Sequence, residues 1–162
     1  MFKKTGVLSC FLFLIVLLFP LKGFPMLIQK QKDLSEMVYE ADSILVGKVI
    51  KMESRWTEDK GTIVTDVTIV VESYLKNPIS TKEVVIQIPG GEVGEIGLKV
   101  SDVPSFRVDE EVLIFLKKDT MANWVTYHGA QGKYTIKDGM VEELGISVDT
   151  VVAKIEGFLK VQ

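Results

Sequence analysis

The sequence predicts a mainly β protein: a small antiparallel barrel of five or more strands, with a short N-terminal helix and a C-terminal helix. Three observations carry this. Apolar residues recur with a period of two through most of the stretch from Ser43 to Lys137. Glycine, asparagine and aspartate punctuate that stretch at short intervals. Helical spacing is confined to two short segments, one on each side of it. The first two strands also read as longer than the ~5–6 residues usual in globular proteins. Long, bent strands suit a small closed sheet, and closure removes exposed edges. A two-sheet sandwich is the alternative architecture.

The elements follow in chain order. Asp33 reads as an N-cap with Glu36 three residues on, a variant of the capping box. Leu34, Met37, Val38 and Ala41 share one face, which predicts a short helix over Asp33–Ala41 covering one end of the sheet. From Ser43 a strand runs through Ile44-Leu45-Val46-Gly47-Lys48-Val49-Ile50 towards Trp56, with Gly47 marking a bulge or bend. Thr57 to Gly61 is a polar hairpin loop. The next strand alternates, with Ile63, Thr65, Val67, Ile69 and Val71 on one face and Asp66, Thr68 and Glu72 on the other, and it ends near Lys76-Asn77-Pro78.

Glu83 to Ile88 is a third strand with Val84, Ile86 and Ile88 inward. The continuous apolar run Val112-Leu113-Ile114-Phe115-Leu116 marks a strand buried on both faces. Trp124–Tyr127 and Lys133–Lys137 are two further strands, and Asp138-Gly139 is a tight turn after which Met140-Val141-Glu142 pairs back. Ser147 or Asp149 caps a final helix carrying Val151, Val152, Ile155 and Leu159 on one face.

The N-terminus is set apart from this pattern. Lys3 and Lys4 precede an apolar run of sixteen residues, Gly6 to Leu21, closed by Pro20, Lys22 and Gly23. That is the order of a secretory signal peptide, and the run falls short of the ~20 residues of a comfortable membrane span. Residues 1–23 are therefore expected to direct export, with an uncleaved membrane anchor as the alternative, and residues 24–162 to form a single domain. Val7-Leu8-Ser9-Cys10 is not a lipoprotein signal, because the apolar core follows the cysteine.

Loss of residues 1–23 takes the 19 basic residues down to 16 against 22 acidic ones, and the net charge from −3 to −6. An acidic domain without a basic run lacks the electrostatic footprint of a nucleic-acid binder. Cys10 is the only cysteine and leaves with the signal. The remaining chain then has no disulfide, thiolate nucleophile or cysteine metal site.

The stretch Pro89-Gly90-Gly91-Glu92-Val93-Gly94-Glu95-Ile96-Gly97 concentrates four of the thirteen glycines. So many in one connection predicts a shaped loop, and binding residues sit preferentially on such loops. It is not a nucleotide-binding fingerprint. No helix follows to present its N-terminus to phosphate, and no terminal Lys-Ser/Thr is present. Glu92, Val93, Gly94, Glu95 and Ile96 are the candidate contact residues, with Val93 and Ile96 either docking on a partner or tucking into the barrel mouth, and weak calcium binding through the oxygens of Glu92 and Glu95 as an alternative use of the loop. Arg55-Trp56 at the first hairpin tip is a second candidate anchor, since both residue types are enriched at binding hot spots. The indoles of Trp56 and Trp124 can equally cap the core.

Catalytic chemistry is thinly supplied. His128 is the only histidine, so a zinc site built on several histidines is excluded by count. In its glycine-flanked turn it is expected to be a solvated loop residue. The acidic runs Asp109-Glu110-Glu111 and Glu142-Glu143 fall at turns and are expected to be solvated. A hydrolase using Glu92 or Glu95 with His128 is the enzymatic alternative; the leading expectation is no catalytic residue, no cofactor and no bound metal.

Ala41-Asp42-Ser43-Ile44-Leu45-Val46-Gly47-Lys48-Val49, the long hairpin, Tyr74-Leu75-Lys76, and Phe106 to Leu116 together resemble the netrin-like module. That family includes the N-terminal domain of tissue inhibitors of metalloproteinases. The block PGGEVGEIGLKVSDVPSF and Gly129-Ala130-Gln131-Gly132-Lys133 resemble bacterial secreted proteins, some of which carry such a segment beside a matrixin-type zinc protease. The resemblance spans roughly residues 36–137. It implies an OB-like barrel with flanking helices and a secreted or periplasmic protein-binding role, with a metalloprotease as partner class. The family's inhibitory wedge, a disulfide-locked N-terminal cysteine, has no counterpart here.

Overall fold

The computed structural model describes residues 32–161; the expected signal peptide and the lead-in to Gln31 lie outside the described residues. The first helix, α1 (Leu34–Glu40), starts where predicted, with the Asp33 carboxylate accepting from Leu34 N–H at 2.8 Å. Glu36 does not complete a capping box; its carboxylate pairs with Lys32 one turn away. The other end of α1 is held by a residue far along the chain. Lys76 Nζ donates to the carbonyls of Val38, Tyr39 and Ala41 at 2.8, 2.9 and 2.7 Å. These are the carbonyls that a helix C-terminus leaves without partners.

Strands β1 (Ser43–Trp56) and β2 (Ile63–Lys76) are fourteen residues each and pair antiparallel along their whole length. Register shifts at Ile44/Leu45, Val46/Gly47 and Val49/Lys51 bend β1, which lets its first half pair with β2 on one side and with a distant strand on the other. Gly47 lies at one of these shifts, where any side chain would strike the Val70 carbonyl. Strand β3 (Glu83–Pro89) pairs with β2 and turns Val84, Ile86 and Ile88 inward.

After it come β4 (Gly91–Val93), β5 (Ile96–Leu98), β6 (Glu111–Lys118), β7 (Trp124–Thr126), a 3-10 turn over Gly129–Gly132, β8 (Lys133–Lys137), β9 (Met140–Val141) and β10 (Ile146–Ser147). The C-terminal helix α2 (Val148–Leu159) is capped by Ser147, whose hydroxyl accepts from Thr150 N–H at 3.2 Å.

The eight-stranded sheet has the order β1-β2-β3-β7-β6-β8-β9-β10, and the extra pairing of β1 with β6 closes β1, β2, β3, β7 and β6 into a ring. The sheet is mixed, against the all-antiparallel expectation. β7 returns beside β3 in the same direction and meets it at the single pair Ile86↔Trp124. A three-residue strand entered from antiparallel β6 has no other orientation available on that side of the ring.

Two apolar clusters share the sheet. Leu45, Val67, Ile69, Ile86, Val112, Ile114 and Leu116 fill the ring interior. Ile44, Leu113 and Phe115 point outward and pack with Met37, Val38, Val151 and Ile155 of the two helices. The apolar run of β6 is therefore explained residue by residue, since alternate side chains serve alternate clusters. The described residues belong to one compact unit, and among them no helix is long and apolar enough to cross a membrane.

Candidate functional site

The glycine-rich stretch is not an open loop. It folds as a small hairpin in which β4 and β5 pair as Gly91↔Leu98, Glu92↔Gly97 and Val93↔Ile96. Gly94 at φ 63° and Glu95 form the two-residue turn, and glycine at the first turn position suits the hairpin twist. The first two glycines have a different task. A side chain on Gly91 would overlap Ser54 Oγ and Thr65 Oγ1, and one on Gly90 would lie 2.7 Å from the Leu98 carbonyl oxygen.

The hairpin is thus seated by direct backbone approach on the far ends of β1 and β2. Thr65 Oγ1 donates to the Gly90 carbonyl at 2.7 Å, Ser54 and Thr65 hydroxyls lie 2.8 Å apart, and Gly90 N–H donates to Ile63 at 2.8 Å.

This seat projects the predicted contact residues. Ile96 is 54% and Leu98 38% exposed, Glu92 and Glu95 are exposed, and Val93 is half-buried. Ile96 therefore does not tuck into the mouth of the ring. Neither carboxylate of the hairpin forms an ion pair or side-chain hydrogen bond among the described residues.

Arg55 and Trp56 do not act together. Neighbours on a strand point to opposite faces. Arg55 Nε donates to Asp66 Oδ2 at 2.6 Å on the outer face, where Gln87 also reaches Asp66, and its guanidinium is held firmly protonated by that carboxylate. Trp56, half-exposed, shares its face of β1 with Ser54, the side on which the hairpin sits. Trp124 packs its ring against the interior cluster, with Lys118 Nζ 4.3 Å above it.

Two polar expectations are corrected. Glu110 is not solvated. Its side chain is 13% exposed and pairs at 2.5 Å with Lys133, itself 8% exposed. Thr135 Oγ1 lies 2.9 Å from Lys133 Nζ and 3.2 Å from Glu110 Oε1, while Glu110 Oε2 accepts from Arg107 N–H at 3.0 Å. Glu143 accepts from Thr135 N–H. Asp109 and Glu111 are exposed as expected.

The cluster joins the turn before β6 to β8, more than twenty residues on, so no local spacing announces it. Alternation sets Lys133 with Thr135 and Lys137 on the polar face of β8, opposite Tyr134 and Ile136, so nothing local marked it as buried. His128 is also not a solvated loop residue. It is half-buried in the left-handed region, φ 58°, ψ 36°, and its Nδ1 is buried without a hydrogen-bond partner. No hydrogen bond or ion pair joins it to Glu92 or Glu95. Among the described residues no three histidine, cysteine, aspartate or glutamate side chains converge on a common point where a metal would bind.

The geometry therefore offers one projecting, rigidly seated surface with apolar and acidic side chains, and one internal ion pair that ties the sheet together. Comparison with known proteins adds nothing to this assignment: no protein-family model matches the chain, and no curated protein matches it significantly.

Proposed function

We propose that the five-stranded ring is an OB-type barrel and that the chain is a non-enzymatic protein-binding module working outside the cytoplasm, in a secreted or periplasmic setting. The partner class is a protein, with a secreted zinc metalloprotease as its most concrete form. A five-stranded ring whose β3–β7 contact is a single residue pair supports an OB-type reading. The metalloprotease class rests on the resemblance of residues 36–137 to the netrin-like module.

The observation that carries the binding role is the β4–β5 hairpin. Its base is fixed on β1 and β2 by Gly90, Gly91, Ser54 and Thr65, so its exposed Ile96, with Glu92 and Glu95 beside it, is presented without the ordering cost a free loop would incur on binding. Trp56 extends the surface on the strand below.

Titrating the chain into the catalytic domain of a matrixin-type zinc protease, with binding and peptide hydrolysis followed together, tests the reading. Ile96→Asp and Glu92→Arg are expected to weaken binding by about tenfold or more, in the range of hot-spot losses, with an unchanged circular dichroism spectrum. Equal binding by both variants removes the hairpin from the interface. Absence of any complex at high micromolar concentration removes the metalloprotease.

A further inference from the structure

The outer edge of β5 is complementary to itself. Across Glu95-Ile96-Gly97-Leu98-Lys99 the order is acid, apolar, glycine, apolar, base. All five residues are exposed, and neither Glu95 nor Lys99 forms an ion pair or side-chain hydrogen bond among the described residues. We infer that this edge pairs antiparallel with the same edge of a second copy of the chain, centred on Gly97, to give a four-stranded sheet across a two-fold axis. The inference rests on the reading of the hairpin as a protein-contact element and names the occupant of one of its edges.

Backbone geometry sets which groups face outward. In a hairpin with a two-residue turn, the pair beside the turn, Val93↔Ile96, exchanges hydrogen bonds, and the next pair, Glu92↔Gly97, does not. The N–H and C=O of Gly97 therefore point away from β4, and no turn or loop hydrogen bond reaches them. Glu95 in the turn and Lys99 just past β5 flank the three-residue strand on either side of Gly97. An edge of this kind is a template for another strand.

Pairings centred on Ile96 or Leu98 also bring outward backbone groups together, but only one centred on Gly97 sets Glu95 against Lys99 in both copies at once. It sets Gly97 against Gly97 of the second copy, Ile96 against Leu98, and Glu95 against Lys99, each of the last two contacts occurring twice. The apolar pairs fall on the sheet face that already carries Val93, and the charge pairs lie at the two ends of the contact. A closed two-fold contact of this type is isologous and stops at two copies. Its short strands make a small interface, so the dimer is a weak one.

Cross-linking the full chain tests this. Cys10→Ser removes the native thiol, and Gly97→Cys introduces one at the predicted axis. A side chain there meets only Glu92 Cγ, at 3.5 Å, so the hairpin tolerates it. Cα atoms of a hydrogen-bonded antiparallel pair lie about 5.5 Å apart, within disulfide reach.

Mild oxidation is expected to give a covalent homodimer with Gly97→Cys and none with Ala153→Cys on the exposed face of α2. Adding Glu95→Lys is expected to slow cross-linking by about tenfold, since two attractive cross-strand pairs become repulsive. Adding Lys99→Glu to that variant restores the original rate, because the charges are then exchanged and not lost. Cross-linking no faster than at Ala153→Cys, a rate indifferent to the charge exchange, or capture of a different protein with no homodimer would each overturn the pairing. Protease binding by a chain that does not self-associate would leave the binding function standing and end only this inference.

Discussion

Gly91 shows how much a single residue decides about the surface proposed for binding. Its φ of 133° and the overlap of any side chain with Ser54 and Thr65 leave no room for alanine. Gly91→Ala is expected to cost about 1–3 kcal/mol, the range for strain at a special backbone conformation. Amide exchange in residues 91–98 should accelerate more than in β6 if the hairpin lifts from its seat; uniform acceleration would mean that the whole ring is weakened.

Lys133 and Glu110 are the second case. Removing one partner of a buried pair strands the other charge, so Lys133→Ala is expected to cost about 3 kcal/mol or more in denaturant unfolding. The double change Lys133→Met with Glu110→Leu should cost clearly less than the single one. A double variant as unstable as Lys133→Ala would show that the pair is worth more than its desolvation.

Tyr134 gives a pH-dependent observable. Burial raises its phenol above the ordinary value of 10.0, helped by the nearby carboxylates of Glu143 and Asp33. The folded state therefore holds the proton more tightly than the unfolded one. This contribution to stability is complete below pH 10 and is lost as pH rises through the raised value. Tyr74 is raised by burial as well, so ultraviolet titration should show two late-ionising tyrosines, of which Tyr134→Phe leaves one.

At the scale of elements, α1 is a seven-residue helix, too short to persist alone in water. It is held by its buried Met37 and Val38 and by Lys76 at its C-terminal carbonyls. Lys76→Ala is expected to lower stability by about 1–3 kcal/mol through those lost charged hydrogen bonds, read as a fall in unfolding midpoint. No change would mean that the apolar face alone holds α1.

The presence of α1 was legible because its apolar spacing and Asp33 cap are local. Its C-terminal clamp was not, because Lys76 lies 35 to 38 residues away in sequence and reads from the sequence only as the end of a strand. The hairpin was half legible. Its glycines marked the place, but whether Gly90 and Gly91 served a flexible loop or close backbone packing depended on what lay opposite them.

For the molecule as a whole, β6 joins the two apolar clusters by giving alternate side chains to each. Phe115→Ala, on the helix side, is expected to cost about 3–5 kcal/mol, and Leu116→Ala, on the ring side, about 2–5 kcal/mol. Because the strand is shared, both variants should unfold in one transition seen identically by far-ultraviolet circular dichroism and tryptophan fluorescence. Separate transitions for helix and sheet signals would show that the clusters are independent.

The sequence by itself determined the two helices, the longer strands, their order and most of their buried faces, because periodicity and caps are properties of neighbouring residues; it did not show the short strands β4, β5 and β10. It also marked residues 89–97 as the place to look for function and left catalysis little to work with. Only the tertiary structure decided that β7 runs parallel to β3, that Glu110 is internal, that Arg55 and Trp56 part company, and that Ile96 projects outward. Each of these depends on contacts between segments distant in sequence, where the energy of a side chain is set by what the fold places against it.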